Sequence, residues 1–292
     1  MNALKRAIGI ISPMIILILI QYLITFCATF IFMNSAVAPE AVLNDSQILE
    51  LRNASYEMLN ENVVLISGIS AVISIPIFYR MLNKEWLKRP YRLQALKPVY
   101  RKYIYVALVA IGMTVAFNLG VNAFEFFRYD VDYARIARGI YSEPYYLQVL
   151  VIGFLMPISE ELMFRGLIFE RISNFGSETA GAILTSLLFG LYHGTMIQLV
   201  YAFVFSLFMI FAYKRSGSFA APVLFHMVSN LSALAMNQLS PLTSMQYSIG
   251  IVVFCLIGLF GLYELKKGRF FRVISLENDI IGEDDVESGE QM

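Results

Sequence analysis

Long apolar runs constrain this chain more than any other feature. Eight stretches are mainly apolar: 7–33, 62–82, 103–124, 145–172, 179–197, 199–213, 218–237 and 247–265. A helix that crosses a bilayer needs about 20 such residues. The chain as a whole is 58% hydrophobic, with mean hydropathy +0.64, well outside the range of an ordinary soluble domain. The expected fold is therefore an all-α integral membrane protein of about eight transmembrane helices. Seven is the alternative, because the fifth and sixth stretches are nearly continuous. They need either a tight turn near Gly194 or a tilted or re-entrant segment. The first run follows Lys5-Arg6 and is about twice as long as the apolar core of a signal peptide. No small-residue cleavage site stands close to its end, so it reads as a retained anchor.

Charge placement orients the spans. Lysine and arginine total 22, as do aspartate and glutamate, so net charge says nothing about partners. With the N-terminus in the cytoplasm, 17 basic residues fall on that side, only Arg52, Arg128, Arg135 and Arg138 fall outside, and Arg165 lies within a span. This is a strong positive-inside bias, and an even number of spans returns the C-terminus to the cytoplasm. Residues 1–272 are expected to form one polytopic membrane domain. Residues 273–292 hold seven acids and no base, the composition of a disordered, solvated tail. Segment 34–61 reads as a polar external loop, in which Asn44 and Asn53 match the glycosylation tripeptide. Segment 83–102 reads as a basic cytoplasmic loop suited to anionic headgroups or simply to topology signalling. Segment 125–144 reads as interfacial. The lipid bilayer is thus an expected partner, and nothing suggests nucleic acid.

Two histidines occur in the chain, and both lie within apolar stretches, at His193 and His226. A third stretch carries Glu160-Glu161-Leu-Met-Phe-Arg165. Ionisable groups at bilayer depth are costly unless they pair or face a polar cavity, so three such segments are expected to meet. Helix rise places Glu160 roughly 18 Å, His193 roughly 21 Å, His226 roughly 12 Å and Asn230 roughly 18 Å from the ends of their helices. All four can lie near mid-membrane. Glu161 and Arg165, Phe189 and His193, and His226 and Asn230 are each four apart and share a face. Glu160 is rotated about 100° from Glu161, so one carboxylate can face a cavity while the other pairs with Arg165.

These residue types permit water activation. A glutamate beside a neutral imidazole can hold and deprotonate water, and a histidine with an asparagine amide can support an oxyanion. Glu160, His193 and His226 also match the ligand count of a catalytic zinc site. The residues alone leave glutamate-type and zinc-dependent catalysis both open. No CxxC or HExxH spacing occurs. Cys27 and Cys255 read as small apolar packing residues.

The three motifs, Glu160-Glu161-Leu-Met-Phe-Arg165, Phe189-Gly-Leu-Tyr-His193 and His226-Met-Val-Ser-Asn230, resemble those of the CAAX prenyl proteases and bacteriocin-processing enzymes. This is the Abi, or type II CAAX endopeptidase, family of intramembrane proteases. The resemblance covers about residues 145–240. It implies a membrane-embedded hydrolase that cleaves a membrane-associated peptide or protein. Glu160 would activate water with help from His193. His226 and Asn230 would position water or stabilise the oxyanion, and Glu161 with Arg165 would orient the site. Family members have been described both as metalloendopeptidases and as metal-free glutamate proteases, so zinc and no cofactor both remain open. Eukaryotic members remove the last three residues of prenylated proteins, and some prokaryotic members confer bacteriocin immunity. The expected setting is a bacterial plasma membrane. Two other classes are compatible with buried Glu, His and Arg. One is an immunity or binding protein that does not cleave its partner. The other is a proton-coupled transporter, although the chain shows no internal repeat.

Overall fold

In the computed structural model, the described residues are 3–37, 43–86, 91–95, 100–239, 241–267 and 271–275. The eight apolar stretches all form helices. These are α1 (Ala3–Ala36), α3 (Val63–Trp86), α4 (Tyr100–Ala123), α6 (Tyr145–Phe175), α7 (Glu178–Tyr192), α8 (Met196–Ser216), α9 (Ala220–Asn237) and α10 (Ser244–Lys267). Among the described residues, six of them (α1, α3, α4, α6, α8 and α10) are long and apolar enough to cross a membrane. The chain is an integral membrane protein. At 15 residues, α7 rises only about 22 Å, less than a typical hydrocarbon core. The tight turn expected between the fifth and sixth stretches is present, with Gly194 at φ +79°, a conformation that favours glycine.

The connections between the spans carry structure of their own. The external segment 34–61 contains helix α2 (Asp45–Glu61), started by Asn44. The Asn44 side chain accepts from the Gln47 N–H while Gln47 accepts from the Asn44 N–H, a reciprocal cap that ends the loop. The interfacial segment 125–144 contains helix α5 (Val131–Ser142). Beside the helices, β1 (Tyr91–Ala95) pairs antiparallel with β2 (Phe271–Ser275), in the register Tyr91 to Ser275 through Ala95 to Phe271. Strand pairing thus extends past residue 272, where the membrane domain was expected to end. The remainder of the acidic tail, 276–292, and the basic residues Lys88, Arg89, Lys97 and Arg269 lie outside the described residues.

Helix α6 is central. Its Met163, Phe164, Leu167 and Ile168 are fully buried, packed in one cluster with residues of α1, α3, α4, α7, α8, α9 and α10. Lipid is as apolar as these side chains, so close packing and polar contacts hold membrane helices together rather than burial from water. The α4–α10 pair follows that rule, since Gly112 and Gly258 bring the two backbones into direct contact. Outside this core, Leu19, Leu23, Val252 and Leu256 are exposed, the expected lipid-facing surface. Cys27 and Cys255 are exposed as well, which corrects their reading as packing residues.

Candidate functional site

The geometry of the site begins with a defect in α6. Residues Val149–Leu155 and Leu162–Phe169 are wound as π-helix, on either side of an α segment, Met156–Glu161. Such insertions often mark functional sites. In this register Met156 N–H donates to the Val151 carbonyl, five residues back. The next donor in that register would be residue 157, which is proline and has no N–H. Asn230 of α9 supplies the missing donor, its Nδ2 reaching the Ile152 carbonyl at 2.8 Å. A proline on one helix and an asparagine on another thus lock α6 against α9 immediately before the paired glutamates.

The two glutamates diverge as a 100° rotation requires. Glu161 is fully buried. Its Oε1 accepts from Arg165 Nη1 at 3.0 Å and from His226 Nδ1 at 2.8 Å. Arg165 is also fully buried, and its guanidinium lies 4.5 Å from the centre of the Phe189 ring. Phe189 is therefore more than packing, because His193 and His226 also meet it edge-on at 4.7 and 5.6 Å between ring centres. Glu160 instead lines a cavity of about 180 Å³. Its Oε2 lies 3.7 Å from His226 Nε2.

The two histidines take different places around Glu160. His226 is the imidazole that stands between the two carboxylates. His193 caps the end of α7 and its Nδ1 bonds the Phe189 carbonyl at 2.7 Å. A carbonyl only accepts, so Nδ1 carries the proton and Nε2 of a neutral His193 is an acceptor. By the same logic Glu161 holds the proton of His226 on Nδ1. Glu160, His193, His226 and Asn230 all line the same cavity, whereas Glu161 and Arg165 stand behind its wall.

Zinc needs ligand atoms about 2.0–2.2 Å from a common centre. Among the described residues, no three His, Cys, Asp or Glu side chains form a group that could hold a metal ion. Nδ1 of each ring is engaged by a carbonyl or a carboxylate, so Nε2 is the nitrogen each ring has left for the cavity it shares with Glu160.

Sequence reasoning missed much of the cavity wall. Helix α5 contributes Tyr133, Ile136, Ala137, Ile140 and Tyr141, a stripe at spacings of three and four that one helix face presents. That spacing was readable, and only the target of the face was not. Burial pushes the Tyr141 hydroxyl up to about 12 and raises that of Tyr133, so both are neutral phenols. Asp130 fastens α5 in place. One oxygen accepts from the Tyr133 N–H and the other from the Ile197 N–H, each at 2.9 Å. It thereby caps α5 and ties it to the start of α8, beside His193. The Ile197 N–H holds the Asp130 carboxyl below its ordinary value.

Residues 142–232 match the family described as Type II CAAX prenyl endopeptidase Rce1-like. The matched segment contains all three motifs. No curated protein and no solved structure matches the chain.

Proposed function

We propose that this chain, an integral membrane protein of the Rce1-like type II CAAX endopeptidase family, hydrolyses a peptide bond of a membrane-associated protein with a water activated by Glu160. One observation carries the reading: the Glu160 carboxylate faces the cavity 3.7 Å from an imidazole whose other nitrogen is held by a second carboxylate. Water bound between Glu160 Oε2 and His226 Nε2 would lose a proton to Glu160 as it attacks the substrate carbonyl, which is general-base catalysis. His226, its Nδ1–H held by Glu161, would present Nε2 as an acceptor that fixes the water beside Glu160. Arg165 pairs with Glu161 and fixes its position for that purpose. The second amide hydrogen of Asn230, the first being on Ile152, can meet the developing oxyanion. His193 Nε2, an acceptor lining the same cavity, would take a hydrogen bond from a substrate amide N–H. Glu160 would return its proton to the leaving amine.

On the positive-inside bias of the basic residues, both termini and the β1–β2 pair would lie in the cytoplasm, and α2 and α5 outside. A bacterial plasma membrane suits that arrangement. The direct test is cleavage of quenched fluorescent peptides by purified protein in detergent. The wild type should cut, and Glu160→Gln should not while retaining wild-type thermal unfolding. Full activity of the Gln variant would remove Glu160 from the mechanism.

A further inference from the structure

A second, smaller space also meets Glu160. It is a cleft of about 10 Å³ whose polar lining is Gln21, Ser67, Ser70, Ser159, Glu160 and Tyr192. The large cavity is bounded by α4, α5, α8 and α9, the cleft by α1 and α3, and both draw on α6 and α7. Met156 and Glu160, four apart on α6, line both spaces. These two side chains therefore stand between them. A volume of this size holds about one water molecule, and such a water needs about two to four polar partners.

The chain builds those partners from distant segments. Gln21 follows Leu17 by four residues and shares its helix face. Leu17 is buried, so that face of α1 turns inward, and with it the amide in an otherwise apolar stretch. The Gln21 Nε2 donates to the Tyr192 hydroxyl at 3.1 Å. Tyr192 therefore spends an oxygen lone pair on Gln21 and keeps its own hydrogen to donate. Its ring is steadied edge-on by Phe164, 5.7 Å between centres. Ser159, next to Glu160 in the chain, shares a hydrogen bond with Ser74 of α3 at 2.6 Å, which clamps α3 to α6 beside the cleft. A water bridging two polar groups is nearly as favourable as a direct hydrogen bond.

We propose that this cleft is a fixed water site, and that Tyr192 and Gln21 are positioning residues that act on Glu160 through it. The bound water accepts from Tyr192 and donates to the Glu160 carboxylate, holding it in the orientation that receives a proton from the attacking water in the large cavity. The catalytic centre thereby extends into α1, outside the matched segment 142–232. The inference rests on the reading of Glu160 as general base.

Tyr192→Phe, Gln21→Met and the double variant test it, with the quenched peptides described above and Glu160→Gln protein as the blank. Tyr192→Phe keeps the ring and removes the donor. It should lower kcat about tenfold, which corresponds to about 1.4 kcal/mol, with KM and thermal unfolding unchanged. Gln21→Met should lower kcat by a smaller factor. The double variant should be no slower than Tyr192→Phe, because Gln21 acts only through the hydroxyl, whereas independent roles would multiply. An experimental structure of the wild type should show a water within about 3.2 Å of both the Tyr192 oxygen and the Glu160 carboxylate. Wild-type kcat in Tyr192→Phe, multiplied losses in the double variant, or a cleft without that water would each overturn the inference and leave proteolysis standing. Cleavage that survives in Glu160→Gln would instead remove the general-base reading, and the inference with it.

Discussion

Glu160 and Glu161 are neighbours in the chain but belong to two different regions of the molecule. Glu161 sits in a sealed knot with Arg165, His226 and the Phe189 ring, where every charge has a fixed partner. Glu160 stands at the edge of a cavity with His193 and Asn230, where it makes a 3.7 Å contact to His226. The difference teaches how one helix serves two purposes. A sealed charge that loses its partner harms the fold, whereas a charge facing a cavity can be lost with little harm to the fold and large harm to the chemistry. His226 belongs to both regions and couples them.

Four substitutions can break that contrast. Glu160→Gln should lower kcat by about 10³-fold or more, in line with loss of a general base, with the midpoint of thermal unfolding in detergent unchanged. A fall in both would place Glu160 in the knot. Arg165→Met strands Glu161 and should destabilise the protein by about 3–5 kcal/mol, measured by thermal or denaturant unfolding. The double variant with Glu161→Gln should recover part of that loss, and no recovery would mean the pair is not the cause. Asn230→Ala should lower kcat about 10²-fold with a small loss of stability from the uncapped Ile152 carbonyl. A change in KM alone would remove Asn230 from the oxyanion role.

Asp130→Ala should have the smallest effect, about 1 kcal/mol for a lost helix cap. Its pH signature carries a definite sign. A carboxyl whose folded value is depressed contributes stability that is complete above its unfolded value of 3.8. That contribution is lost as pH falls through the lower folded value. The wild type should therefore lose this increment only below about pH 3.8, and the alanine variant should show no such step. An identical acid profile for the two proteins would separate Asp130 from the attachment of α5.

Much of the fold was legible because lipid imposes a simple rule: apolar length marks a helix. Ala7–Met33 and the seven stretches after it could be placed from hydropathy. Helix α2 was missed because a polar surface helix carries no hydropathy signal, although Asn44 and Gln47 formed a readable cap. The β1–β2 pair joins segments about 180 residues apart, and no local pattern records such a partner. Within the site, the grouping of Glu160, Glu161, Arg165, His193, His226 and Asn230 was readable from depth and spacing. The partner of each histidine was not, since it depends on how α6, α7 and α9 rotate against one another.

The sequence by itself determined that this is a helical membrane protein and that three of its helices carry ionisable groups to a common depth. Lipid penalises an unpaired charge wherever it lies, so composition and spacing suffice for that conclusion. Only the tertiary structure decided that Glu161 is the sealed carboxylate and Glu160 the one facing the cavity. Helical rotation separates two adjacent side chains by a known angle, but which of them meets α9 and which meets the cavity is set by packing. Here that packing turns on Pro157 and the Asn230 amide that answers it.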